Sequence, residues 1–135
     1  MNRSKILLAQ EATVVAYSAE ALSCYHVISV TTFAQAQRAI LDEDIEVFVI
    51  GIHFDDSKAI ELVRQIRNSH KHFHKPIIII RVLPSQLAKT LKHSVMAVKK
   101  LYDIADYLEL EHSADPSQEL CEAIDNQLEK SETAA

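Results

Sequence analysis

Apolar residues along this chain fall into short runs that alternate with stretches of helical period. Ile6-Leu7-Leu8-Ala9 is the first run, and residues 11–22 follow with a helical pattern. Residues 27–30 form a second run, rich in β-branched side chains. Thr32 and Gln35 then offer a capping box, in which a hydroxyl and a carboxamide satisfy backbone N–H groups reciprocally. The helix they open is predicted to carry Phe33, Ala36 or Gln37, Ile40 and Leu41 on its core side. Residues 47–52 are the third run, and a helix over 56–68 places Ile60, Val63 and Ile66 at core spacing. A fourth run, 77–80, is entered through Pro76. The long pattern over 84–102 repeats Leu87, Leu91, Val95, Val98 and Tyr102 at helical period. Residues 107–110 are the fifth run. Asp115 as N-cap, Pro116 in the first turn and Gln118 as reciprocal cap start the last helix, whose stripe is Leu120, Ile124 and Leu128.

Strand and helix thus alternate five times. Ile77-Ile78-Ile79-Ile80 is apolar on both faces, which suits a parallel strand covered by helices front and back. Right-handed crossovers then predict an α/β fold: a doubly wound five-stranded parallel sheet, flavodoxin-like, in the order 2-1-3-4-5. One domain over 1–130 with a disordered tail over 131–135 accounts for the chain, and no internal repeat or linker interrupts it.

Composition narrows the function. The 135 residues are 48% hydrophobic and 24% charged, with net charge −5 and no long basic run, so no nucleic-acid footprint exists; Lys99-Lys100 is too small a patch. The apolar stretch near Met1 is too short for a signal peptide or membrane span, which points to a cytoplasmic protein with no membrane partner. Met1 and the tail suggest an independent protein. Cys24 and Cys121 lack CxxC spacing and read as small residues of a reducing compartment rather than a disulfide. With a single glycine, Gly51, the chain holds no GxSxG, P-loop or GxGxxG motif.

Chemistry in such a sheet gathers outside the carboxyl ends of the strands. The residues expected there are Gln10 and Glu11, Gly51, Arg81 and Leu110. A glycine inside a strand costs roughly 0.5–1 kcal/mol relative to alanine, so a lone one signals a positive φ or a close approach, for example to the first helix. Asp55 and Asp56 follow it. Asp56 is expected to cap the next helix, the alternative being a weak divalent-cation site with Glu11. His70, His72 and His74 would share one side of an extended segment and could then ligate Zn²⁺, but between helix and strand a solvated loop is the expectation. No metal or cofactor is assigned.

The five β-α units, "HFDDSKAIELVRQIR" after Gly51, the Pro76-led strand and "ADYLEL" together resemble a response-regulator receiver (CheY-like) domain, over nearly the whole chain. That resemblance implies a pair of acids after the first strand, where this chain has Gln10 and Glu11. It implies a phospho-acceptor aspartate at Gly51, a switch hydroxyl at Arg81 and a lysine at Leu110, with Tyr107 on the aromatic switch position. Three of four chemical roles are missing, so the branch resembled is the degenerate pseudo-receiver. "GIHFDDS" also looks like a small group of stand-alone bacterial receiver-like proteins.

The expected function is therefore a non-enzymatic module of two-component signalling that works without aspartyl phosphorylation. Its partner, another protein or a second copy, would bind the face formed by the fourth helix, fifth strand and fifth helix, where Lys92, Lys99 and Lys100 lie beside "ELEHSAD". The alternative is an accessory domain of a larger enzyme, since 105–128 also look like the receiver-like wing of pyridoxal-phosphate-dependent basic amino-acid decarboxylases. A residual phosphotransfer enzyme using Glu11 or Asp56 ranks third.

Overall fold

The computed structural model describes residues 4–11, 22, 25–81, 88–110 and 113–133. Five strands, β1 (Lys5–Ala9), β2 (His26–Val30), β3 (Val47–Gly51), β4 (Ile77–Arg81) and β5 (Asp106–Glu109), form one parallel sheet in the order β2-β1-β3-β4-β5. The helices are α1 (Phe33–Asp42), α2 (Phe54–Ser57), α3 (Ala59–Arg67), α4 (Ala88–Tyr102) and α5 (Pro116–Thr133). Residues 12–21 of the helix expected over 11–22, and residues 84–87 of the one expected from 84, lie outside the described residues. Among the described residues no helix is long and apolar enough to cross a membrane.

The pleat divides the core in two. Leu7, Phe48, Ile50, Ile77 and Ile79 pack with α1, α3 and α4 on one face, through Ile40, Val63 and Val95. Ile6, Leu8, Val49, Ile78 and Ile80 pack on the other with Leu120 and Ile124 of α5. Alternate side chains of one strand thus feed opposite cores, which is why β3 and the first four residues of β4 are apolar on both faces.

Caps fix the helices, with differences from expectation. Thr32 accepts from the Gln35 amide at 3.2 Å, but the Gln35 carboxamide reaches back to the Thr31 amide (2.9 Å), one residue before the cap. Ala36, Ala39 and Ile40 form the buried stripe of α1, while Leu41, expected on the core side, is 76% exposed. It stands about 140° around the helix from Ala36, past the edge of the stripe.

The helix expected over 56–68 is two helices. Phe54 is fully buried in the core, so helical backbone starts early as α2, breaks at Lys58 (φ −90°, ψ 14°) and resumes as α3. Asp56 therefore sits inside α2 rather than capping a helix; the caps are His53 and Lys58, neither with a side-chain hydrogen bond. In α3 it is Leu62 that joins Val63 and Ile66 in the core, while Ile60 is half-buried.

Helix α4 ends in a Schellman turn: Asp103 takes φ +54° and the Ile104 amide returns to the Lys99 carbonyl at 3.1 Å. Arg67 clamps this end, its guanidinium donating to the carbonyls of Tyr102, Asp103, Phe73 and Lys75 at 2.7–3.1 Å. Asp115 caps α5 through the Gln118 amide (3.2 Å), as expected, but the Gln118 side chain points forward to Glu122 (3.0 Å) instead of back. Helix α5 runs to Thr133, three residues into the stretch expected to be tail.

Candidate functional site

The order of the strands reverses direction at β1, between β2 and β3, and the carboxyl ends of β1 and β3 flank this switch point. Gln10 follows β1. Its amide donates to the Val30 carbonyl (3.2 Å), which fixes the backbone, and its side chain is only 3% exposed. Gly51 ends β3 in register with Ile80.

Gln10 and Gly51 occupy one space. A Cβ placed on Gly51 would stand 2.7 Å from Cδ and 3.3 Å from Nε2 of Gln10, with Oε1 nearer still. Gly51 has no positive φ, so the choice expected from sequence resolves toward close approach. Among the described residues, what approaches is the Gln10 carboxamide; the first helix lies outside them. Nε2 of Gln10 is buried without a hydrogen-bond partner among the described residues.

Arg81 and Glu109 occupy the next two strand ends. They are register partners on β4 and β5, and Nη2 of Arg81 meets Oε2 of Glu109 at 2.8 Å. Arg81 is 2% exposed and the Glu109 side chain 26%. A guanidinium this deep requires a carboxylate beside it, because an unpaired buried charge is strongly destabilising. Tyr107 packs against the α4-side core, whereas Leu110 is buried in the α5-side core with Leu8 and Ile80. The expected site residues thus separate: Gln10 touches Gly51, Arg81 pairs with Glu109, and Leu110 belongs to the apolar interior. Glu11 is half-buried beside Gln10.

Two partners at these strand ends were not among the residues expected from the sequence to act there. Glu109 was legible in principle, since a lone cation ending an apolar strand calls for an acid on the neighbouring strand. Asp55 was not. At φ +40° it turns back across the site, and its Oδ2 accepts from the Phe33 amide at 2.7 Å, capping α1 from 22 residues away.

The histidine segment forms no ligand set. His70 and His74 are exposed, but His72 is 1% exposed, its Nε2 accepting from the Ile45 amide (3.0 Å) and its ring edge-on to Phe48. Burial, with Lys71 nearby, pushes the His72 pKa below the usual histidine value. Among the described residues no group of three His, Cys, Asp or Glu side chains could hold a metal ion.

No protein-family model matches the chain, and no curated protein matches it. Solved structures do. A CheY-like response regulator receiver domain from Methanospirillum hungatei JF-1 superposes with a TM-score of 0.76 at 15% identity, over 100% of both chains. The receiver domain of an HD domain-containing protein from Pseudomonas fluorescens Pf-5 gives 0.75 at 15% identity, over 98% of this chain and 99% of that one. That of a sensor histidine kinase from Pseudomonas aeruginosa PAO1, with magnesium coordinated in its active-site cleft, gives 0.69 at 18%, over 94% and 98%. The fold is that of a receiver domain. At positions 10, 11 and 51 the chain offers a magnesium ion fewer carboxylates than it wants, and Asp55 already accepts from the Phe33 amide. Such a hard cation wants several oxygens including carboxylates. Here Glu11 is the one carboxylate among the residues at 10, 11 and 51.

Proposed function

We propose that the chain is a receiver-like signalling module that acts by protein contact, without aspartyl phosphorylation and without catalysis. The observation that carries this is Gln10 over Gly51. An acyl phosphate needs a carboxylate nucleophile, a metal to neutralise the phosphoryl oxygens and a cation to hold the product. At 51 there is no side chain, and the space an aspartate would use is filled by a neutral carboxamide. Leu110 supplies no cation, and the charge of Arg81 faces Glu109. The Arg81–Glu109 pair ties β4 to β5 at the strand ends.

The contact surface we assign is the one formed by α4, β5 and α5. Met96 and Leu101 are 45% and 73% exposed on α4, with Lys100 exposed between them and Glu119 and Glu122 on α5. Apolar anchors with flanking charge of both signs suit a partner protein or a second copy.

Titrating Mg²⁺ into ¹⁵N-labelled protein tests the absence of a phosphorylation site. The amides of Gln10, Glu11, Gly51 and Ile52 should show no saturable shift. A saturable response confined to those amides would show a working metal site and sink the proposal.

A further inference from the structure

The two edges of the sheet are β2 and β5, and they are built differently. β5 has four residues and a carboxylate at each end, Asp106 and Glu109. Short length and charge are what keep a sheet edge from pairing with another chain. β2 is His26-Val27-Ile28-Ser29-Val30, with no proline and no charge of fixed sign. The His26 amide bonds to Ser4 and the Val30 carbonyl to Gln10, both toward β1. By the alternation of a parallel ladder, Val27 and Ser29 turn their amides and carbonyls to the open edge. Ser29 is exposed, and the next outward donor, the Thr31 amide, is already taken by Gln35.

Beside this edge runs an open groove of about 520 Å³ between β2 and α1, lined by Ile28, Val30, Ala34 and Ala39 together with Arg38 and Asp42. Arg38 and Asp42 are 74% and 64% exposed, and their mutual separation of 3.7 Å leaves both able to meet other charges. Leu41, 76% exposed, lies outside the groove lining but is the i+3 neighbour of Arg38 beside this charged stripe.

We propose that a second copy of this chain docks here, β2 against β2 in antiparallel fashion across a two-fold axis, making one ten-stranded sheet. The occupant follows from self-complementarity. A two-fold axis through Ile28 sets Val27 of one copy opposite Ser29 of the other, so the edge donors and acceptors that have no partner among the described residues meet each other. It also lays the two α1 helices antiparallel on the same face, with Arg38 of each toward Asp42 of the other and the Leu41 side chains at the seam. Isologous contacts require one surface that carries both signs, and this stripe does. The α4–β5–α5 face stays free for a different partner, so the proposal stands apart from the phosphorylation question.

Sedimentation velocity over a concentration series should show a monomer–dimer equilibrium. Ser29→Pro removes one outward N–H and leaves the β1 ladder intact, as edge strands tolerate. Leu41→Lys charges an exposed position that the fold does not use. Each should weaken the dimer at least about tenfold with an unchanged circular-dichroism spectrum. Arg38→Glu should weaken it too, and Arg38→Glu with Asp42→Arg should restore it. Leu101→Lys on α4 should leave it unaltered. A chain that stays monomeric throughout, the edge then serving an extended peptide of another partner, would overturn the proposal. So would a dimer that survives both Ser29→Pro and Leu41→Lys, or one that only Leu101→Lys dissolves.

Discussion

Gly51 shows how one residue can be legible in a sequence while its reason is not. As the single glycine of the chain it stands out. The reason is tertiary, because the Gln10 side chain crosses from the end of β1 to the end of β3. Gly51→Ala should therefore destabilise the protein by about 1–3 kcal/mol in urea unfolding, the usual cost of overpacking a closed site. In a Gln10→Ala background the same substitution should stabilise by roughly 0.5–1 kcal/mol, since a strand alanine then replaces a strand glycine without a clash. Equal effects in both backgrounds would mean that the two residues do not share this space. His72 was hidden for a similar reason. Alternating histidines suggest one exposed side, but residues 70–74 form turns, and only the packing sends His72 alone inward.

His72 also sets a pH dependence. It accepts the Ile45 amide through Nε2, so protonation would cost that bond as well as burying a charge. Lys71 and Lys75 oppose the imidazolium, and Asp44, itself paired with Lys71 at 3.2 Å, favours it less. The folded-state pKa is lowered, so the unfolded chain binds the proton first. The contribution of His72 is complete above the unfolded value of 6.5 and is lost as pH falls from there through the folded-state value. Denaturation midpoints measured from pH 7.5 to 5 should decline in the wild type, and the decline should shrink in His72→Gln. An identical slope in the two proteins would assign the acid sensitivity elsewhere.

Elements were readable where their signals are local and misread where a neighbour intervenes. The strands and the Thr32 and Asp115 caps needed only nearby residues, and all appear. The break at Lys58 and the outward Leu41 depend on how Phe54 and the α1 stripe meet the core, which periodicity alone does not fix. Asp55 is the clearest case: its φ of +40° and its bond to the Phe33 amide serve a helix in another part of the chain. Asp55→Ala should cost about 1 kcal/mol, the usual value of a lost N-cap. Asp55→Gly should cost less, because glycine accepts the positive φ that alanine resists. Faster amide exchange at Phe33 in both variants would locate the loss at the start of α1; unchanged exchange would show that Asp55 holds something else.

At the scale of the whole molecule, topology was the most legible feature. Strands apolar on both faces admit few arrangements once crossovers are right-handed, and the order 2-1-3-4-5 is what forms. The site was legible as a set of missing groups but not as a set of contacts. Composition shows that 51 lacks a carboxylate; only the folded chain shows a carboxamide filling its place and Glu109 meeting Arg81. Signalling without aspartyl phosphorylation requires that this receiver fold take up no phosphate. Intact-mass spectrometry after incubation with acetyl phosphate and Mg²⁺ measures that directly. The predicted result is an unmodified mass, with a parallel aspartate-bearing receiver gaining one phosphoryl group under the same conditions. A phosphoryl adduct mapping to Glu11, Asp55 or Asp56 would contradict the account.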